Sequence, residues 1–232
     1  MKEPWLRREL NNIAVNVTSA YCLKKYHNAI KWLGHDIGIF YTNKSSKVLN
    51  SFSLYELTLE KQTAHSWRLL ASDLVSVCWP SDDYIYFSCL QYAAELIELD
   101  LFSDNDDLFN VFHLALQQLQ NLSPEKYNLV LREYESALLY KAGYVLDFTE
   151  DVTGTPIVSE NTYFFNGEFF KPQDASGSIM VKGNILLSIH SNDFTKESLY
   201  FYKKIHQKRI EQLSGKKLKT PNLYIRKNND EK

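Results

Sequence analysis

The basic residues near the C-terminus are the part of the sequence with the clearest chemistry. Residues 203–232 contain ten Lys or Arg against three Asp or Glu, a net charge of +7 that leaves −9 on the rest of the chain. Such asymmetry is typical of a phosphate-binding surface, and the alternative is a solvated helix face followed by a frayed tail. The candidate phosphate contacts in this segment are Lys203, Lys204, Lys208, Arg209, Lys216, Lys217 and Lys219.

Arg132 is a second position with distinctive chemistry. It directly follows Leu131, and the apolar or aromatic residues Tyr134 and Leu138 repeat around it at helical spacing. An arginine at the rim of a helix is either a binding group or a merely structural or solvated side chain, and the sequence leaves both interpretations open.

Motifs that would indicate an enzyme or a metal site are absent from the sequence. SGKKLKT lacks the first glycine and the Ser or Thr of a nucleotide-binding loop, and neither G-x-S-x-G nor H-E-x-x-H occurs. No two histidines lie four apart on a helix with a carboxylate, and three cysteines without C-x-x-C spacing fit neither a disulfide framework nor a zinc site. We therefore expect no catalysis, no cofactor and no bound metal.

The helix that carries Arg132 has a defined start and stop in the sequence. Ser123 suits the N-cap, Pro124 the first helical position and Gly143 the left-handed position after the last turn. The apolar positions between them predict a post that packs on more than one side.

Three more helices are predicted around this post, and strands before them. The first covers about residues 81–101, and the second begins at Ser103 or Asp104 and ends at Leu119 or Gln120. The last begins near Asn192 or Thr195 and ends before Gly215, and together these helices suggest a compact bundle. Before Pro80, short β-branched and aromatic runs separated by turn residues predict a small barrel, with Ala29 to Gly34 as a possible helix instead. Residues 150–183 are rich in loop residues, and Asn166-Gly167 between aromatic runs predicts a hairpin. Its aromatics form either a structural cluster or a platform that stacks on bases.

Composition places the chain among ordinary globular proteins. Hydrophobic residues make up 44% and charged residues 23% of 232 residues, with no apolar run of membrane-spanning length. The charges around Trp5 do not fit a signal peptide, and the cysteine usage fits a reducing compartment. We expect a cytoplasmic protein without a membrane partner.

Three segments resemble the RecO family of bacterial recombination mediators. YAAELIELDLFSDNDDLFNVFHLALQQL is similar to the family's Y-x-x-E-L helix and the L-F helix after it. LREYESALLYKAGYVLDF resembles its L-R-x-[FY]-E segment ending in Gly-Tyr, and LSGKKLKTPNLY resembles its closing basic motif. These segments cover about residues 84 to 225.

The resemblance implies an α+β fold. An OB-fold-like β-barrel over residues 1–80 would precede a helical domain over 81–232, whose loop-rich insertion at 149–184 corresponds to the family's zinc finger. Many relatives carry four cysteines there, and this chain carries none, so the insertion is expected to lack the zinc site. The family's basic barrel loop is also reduced, since NKSSK keeps only Lys44 and Lys47.

The resemblance also implies a function without catalysis. Family members bind single- and double-stranded DNA, anneal complementary strands, and with RecR help to load recombinase onto DNA coated by single-stranded-DNA-binding protein (SSB). The acidic, apolar-ended tail of SSB would be received by Leu131, Arg132, Tyr134 and Leu138. DNA would be bound by the C-terminal basic residues and by Lys44 and Lys47, at the bacterial nucleoid during repair. An adaptor of the same fold that has lost DNA binding is the alternative.

Overall fold

A computed structural model describes residues 15–44, 48–78, 84–99, 101, 107–172 and 178–220. These residues fall into two compact units, which are considered separately. The barrel unit comprises the described residues up to 78 together with 107–110. The helical unit comprises the described residues of 84–101 and 111–220.

Five strands close into a barrel in the first unit. They are β1 (Val15–Lys25), β2 (Ala29–Gly34), β3 (Gly38–Asn43), β4 (Leu54–Lys61) and β5 (Ser66–Ser76), in the order β1-β2-β3-β5-β4. Neighbouring strands are antiparallel except β3 and β5, which pair in parallel at Tyr41–Ser66 and Thr42–Trp67. The predicted small barrel is therefore present, and the helical alternative for residues 29–34 is wrong because that segment pairs on both sides.

Alternating side chains fill the barrel. In β4, Tyr55, Leu57 and Leu59 are buried at every second position, as expected for a strand with one face in a core. The buried indole of Trp32 donates a hydrogen bond of 2.9 Å to Thr42 Oγ1. Phe109, at the start of the second helix, packs its ring 5.4 Å from that of Tyr21.

The described residues of the helical unit form five α-helices and a small sheet. The helices are α1 (Tyr84–Ile97), α2 (Leu108–Asn121, from Val111 onward in this unit), α3 (Tyr127–Lys141), α4 (Gly183–His190) and α5 (Lys196–Ser214). The sheet has the order β7-β6-β8, with β6 at Thr162–Phe165, β7 at Phe170–Lys171 and β8 at Ile179–Lys182. No described helix has both the length and the hydropathy needed to span a membrane.

The C-terminal end of α3 agrees with the sequence prediction better than its N-terminal end does. Pro124 begins a short 3₁₀ turn, and the Ser123 side chain accepts no capping bond, because the tighter turn replaces the first α-helical turn. At the other end Gly143 has φ of +80°, while Gly143 N–H and Tyr144 N–H donate to the carbonyls of Tyr140 and Leu139. This is a Schellman motif, which explains the glycine.

The insertion contains the predicted hairpin, but with a longer turn. Phe165 pairs with Phe170, so four residues connect the strands, and Asn166 Oδ1 accepts from the N–H groups of Glu168 and Phe169. Phe165 and Phe170 are buried with ring centroids 5.0 Å apart, which supports the structural cluster rather than a base-stacking platform. Helix α4 was not predicted, because Gly183 and a short apolar run do not distinguish helix from strand.

Candidate functional site

Helix α3 buries all four residues predicted to receive an acidic tail. Arg132 is only 1% exposed, against 7% for Leu131, 3% for Tyr134 and 2% for Leu138. The interpretation of Arg132 as a solvated rim residue is therefore wrong. A cation can be buried at such a depth only if its charge is compensated.

Glu135, one helical turn after Arg132, supplies the compensating charge. Its Oε1 accepts a hydrogen bond from Arg132 Nη2 at 2.5 Å and another from the hydroxyl of Tyr92 on α1. Its Oε2 lies 3.0 Å from Nδ1 of His206 on α5. Because a carboxylate only accepts, His206 donates from Nδ1. Three helices thus converge on one fully buried carboxylate.

Burial sets the protonation of the neutral members of this cluster. Desolvation lowers the pKa of His206, an effect that Glu135 opposes and Arg132 reinforces. Desolvation, with the Glu135 charge, raises the pKa of Tyr92 well above its ordinary value. The imidazole of His206 and the phenol of Tyr92 are therefore both neutral at neutral pH.

A cavity of about 240 Å³ lies between α1, the start of α3 and α5. Its apolar wall includes Ile85, Cys89, Tyr127 and Leu131, and Tyr92 also lines it. Its polar side is formed by Arg132, Lys203 and Gln207. Burial lowers the pKa of Lys203, and the neighbouring Arg132 charge lowers it further. The cavity therefore combines an apolar wall with cationic and amide side chains that can donate hydrogen bonds.

Two buried nitrogens of Arg132, a residue that lines this cavity, lack a hydrogen-bond partner. They are Nε and Nη1 of its guanidinium. An unpaired donor inside a protein is costly, and more so when it is charged. These donors suit a ligand that brings an anionic oxygen together with apolar groups.

The cavity brings together only part of the predicted set. Leu131 and Arg132 line it, whereas Tyr134 donates from its hydroxyl to the carbonyl of Ala93 and packs against Phe112 at 6.4 Å. Leu138 borders a separate, smaller apolar cavity. The sequence reasoning on the binding site missed Tyr92, Glu135, His206 and Gln207, although the first two lie in segments that match the family motifs.

The predicted DNA contacts in the C-terminal segment differ in exposure. Lys204 is exposed, with Nζ 4.5 Å from the ring centroid of Tyr200, and Lys208 is half-buried. Lys216, Lys217 and Lys219 are exposed beyond the end of α5.

Arg209 and the barrel lysines occupy different settings. Arg209 is 9% exposed, donates from Nη1 to the carbonyl of Gly167 at 3.1 Å and lies 5.2 Å from the ring of Tyr144, so it tethers the hairpin turn. These contacts give Arg209 a structural role in the fold. Lys44, just after β3, is exposed, whereas Lys47 lies outside the described residues.

No group of three or more His, Cys, Asp or Glu in the described parts of the chain could hold a metal ion. Cys22, Cys78 and Cys89 are buried thiols, and burial raises the pKa of Cys22 to about 11.

The three segments with family-like motifs meet one another in the helical unit. Tyr92 and Glu135 share a hydrogen bond, although they are 43 residues apart. Both carboxylate oxygens of Glu95 are used by the closing segment, accepting from the backbone N–H groups of Lys219 at 2.7 Å and Thr220 at 2.9 Å. The motif spacing along the sequence therefore corresponds to contacts in the fold.

Comparison with known proteins identifies the same family. The model of the recombination protein O C-terminal region matches residues 81–224. A DNA repair protein RecO from Pseudoalteromonas translucida is 36% identical over 124 residues, covering 52% of this chain and 54% of that protein. A second, from Alteromonas mediterranea, is 30% identical over 128 residues, covering 53% and 54%. The chain thus spans about half the length of these curated relatives, and because the family model covers more than half of it, the chain belongs to the RecO family of DNA repair proteins.

Proposed function

We propose that this chain is a RecO-type recombination mediator that binds single- and double-stranded DNA, anneals complementary strands and, with RecR, helps to load recombinase onto SSB-coated DNA. Membership of a DNA repair family supports the general role. The specific partners and the site of action at the nucleoid in the cytoplasm are inferred from the family resemblance. The mediator works by binding, without a chemical step.

The observation that carries the proposal is the cavity beside Arg132. Its unpaired guanidinium nitrogens lie next to an apolar wall that includes Leu131 and Ile85. An acidic peptide with apolar terminal residues supplies what these two surfaces lack, because its carboxylates accept the free protons and its side chains fill the cavity. The tail of SSB has this chemistry, so the cavity is our proposed tail receptor.

Replacing Arg132 tests this receptor. We expect Arg132→Ala to lower the affinity for an SSB tail peptide at least about tenfold, since charge-assisted hydrogen bonds are lost. Isothermal titration calorimetry measures the change. Arg68→Ala is the matched control, because Arg68 is an exposed arginine on the barrel and its replacement removes the same charge. Equal affinities of Arg132→Ala and the control would contradict the assignment.

For DNA we propose contacts from Lys204, Lys208, Lys216, Lys217 and Lys219. Lys203 remains a candidate at the edge of the cavity, and Arg209 is left out because it is buried. Flexible lysines neutralise phosphates without reading bases, which suits annealing of any complementary pair. Annealing that does not weaken with salt would contradict this mode of binding.

The barrel unit is proposed to be an OB fold. A closed five-stranded barrel of order β1-β2-β3-β5-β4 supports this assignment. Lys44 and Lys47 are its proposed DNA contacts. We also propose that the boundary between the barrel domain and the helical domain lies at residue 80. Residues 149–184 are proposed to be a degenerate zinc-finger-like insertion.

An adaptor that has lost DNA binding is the second candidate. It is favoured by one observation, that Arg209 is buried and Lys203 borders the cavity, which reduces the basic surface available to phosphates. A gel-shift assay with single-stranded DNA at low salt separates the two, because only the mediator retards DNA.

A further inference from the structure

We propose that Glu135 is a positioning residue of the cavity, which holds Arg132 in the orientation that leaves Nε and Nη1 for an incoming carboxylate. This inference rests on the proposed function, since it concerns how the same receptor distinguishes an acidic ligand from a neutral one. It assigns a binding role to a residue that does not line the cavity.

The three guanidinium nitrogens of Arg132 fall into two groups according to their hydrogen bonds. Nη2 is held by Glu135 Oε1 at 2.5 Å, whereas Nε and Nη1 are buried and have no partner. A long arginine side chain without such an anchor samples several rotamers, and ordering it on binding reduces affinity. The hydrogen bond to Glu135 therefore fixes the orientation of Nε and Nη1 of Arg132 before a ligand binds.

Glu135 is itself held in place from two other helices. The Tyr92 hydroxyl donates to Oε1 from α1, and His206 donates to Oε2 from α5. The His206 ring packs 4.3 Å from that of Tyr202, and its Nε2 lies 3.5 Å from Ser136 Oγ. Because hydrogen bonds from two other helices fix this carboxylate, the Arg132 side chain that it binds has little freedom to change rotamer.

A role in stability alone would predict a different outcome from a role in positioning. If Glu135 only stabilises the fold, replacing it weakens binding of every ligand to the same extent. If it positions Arg132, replacing it removes only the part of the affinity that depends on the ligand's negative charge. The ratio of affinities for an acidic and a neutral peptide distinguishes the two.

The experiment uses the full chain and two labelled peptides measured by fluorescence anisotropy. One peptide has three aspartates followed by three apolar residues, and the other carries asparagines and an amidated C-terminus. Glu135→Leu removes the acceptors and keeps a similar volume. We expect the acidic-to-neutral affinity ratio to fall about tenfold, because charge-assisted bonds from Arg132 are lost.

Glu135→Gln is the matched conservative variant. Its carbonyl oxygen still accepts from Arg132 and Tyr92, and its amide group faces His206, which can exchange tautomers. We expect the affinity ratio to stay at or above the wild-type value. In an Arg132→Ala background, Glu135→Leu should leave the ratio unchanged, because the group it positions is absent.

The possible outcomes are distinct. A wild-type ratio in folded Glu135→Leu, or an equal loss in Glu135→Gln, overturns the positioning role. Failure of the wild-type chain to bind the acidic peptide overturns the tail receptor itself. Where Glu135→Leu does not fold by circular dichroism, Tyr92→Phe removes one bond to the carboxylate and keeps the ring, and a ratio unchanged in that variant overturns the inference. The expected drop is about threefold, smaller than for Glu135→Leu because the hydrogen bond between Glu135 and Arg132 is kept.

Discussion

The two units place polar groups in their cores in different ways. In the barrel, Trp32 and Thr42 form a neutral buried pair, and the unpartnered buried atoms, Ser53 Oγ and Trp67 Nε1, also belong to neutral groups. In the helical unit, a full cation and a full anion are buried together, and the cation retains two unpartnered nitrogens. Neutral polar groups fit a core at modest cost, whereas a buried charge that is only partly satisfied needs another reason. The difference fits our proposal that the charged core of the helical unit serves binding, whereas the barrel core serves stability alone.

The largest expected effect is the loss of folding stability when one partner of each buried pair is removed. We expect Glu135→Ala to lower the free energy of unfolding by about 3–5 kcal/mol, because it leaves the buried Arg132 charge uncompensated. Thr42→Val, which removes the neutral acceptor of Trp32, should lower it by about 1–3 kcal/mol. Urea denaturation measures both.

Replacing both charges sharpens the same test. The double variant Arg132→Met with Glu135→Leu should recover most of the lost stability, since apolar groups of similar volume often replace a buried ion pair without cost. It should nevertheless fail to bind the acidic peptide. A double variant as unstable as Glu135→Ala would contradict the view that this pair is retained for binding.

The next contrast concerns which unit binds DNA. We expect replacement of Lys216, Lys217 and Lys219 by Glu to lower the affinity for single-stranded DNA at least about tenfold. The number of counterions released on binding, measured as the slope of log affinity against log salt concentration, should fall by about three, one for each lost phosphate contact. Fluorescence titration at several salt concentrations measures both quantities.

The control for this experiment keeps the same change in charge. Replacement of Lys126, Lys141 and Lys182 by Glu alters three other exposed lysines of the helical unit. A similar loss in the control would show that only net charge matters. Lys44→Glu on the barrel tests the other unit, and we expect a smaller effect because one contact is lost.

The smallest expected effect is the dependence of stability on pH. Burial lowers the pKa of His206 in the folded chain, so the unfolded chain binds this proton more readily. The free energy of unfolding should therefore fall as the pH drops below about 6.5, the unfolded value, by up to about 1.4 kcal/mol per pH unit until the folded pKa is reached.

One variant isolates that contribution. His206→Asn keeps a donor toward Glu135 and should flatten the pH dependence of stability. Urea denaturation between about pH 7.5 and 5.5 spans the ordinary histidine range. An unchanged slope in His206→Asn would exclude His206 as the titrating group.

The sequence predicted the elements well where spacing and end signals agreed. Helix α5 begins after Thr195, whose side chain forms a capping box with Ser198, and ends at Gly215 with φ of +64°. Helix α4 was missed, because the eight residues Gly183–His190 make too few turns to reveal a helical period. Strand β8, Ile179–Lys182, was missed because four residues are too few to establish an alternating pattern. Turn length was also missed at Asn166, whose side chain accepts two backbone bonds that stabilise a four-residue connection.

By itself, the sequence determined the family, the helical post that carries Arg132 and the concentration of positive charge near the C-terminus, because these depend on residue type and on spacing along the chain. Only the tertiary structure decided that Arg132 is buried rather than solvated, that Arg209 tethers a turn, and that Tyr92 and His206 converge on Glu135. The physical reason is that burial and hydrogen-bond partners are set by helices that are distant in sequence, here 43 and 71 residues from Glu135. No local pattern of residues encodes which of those distant groups will meet.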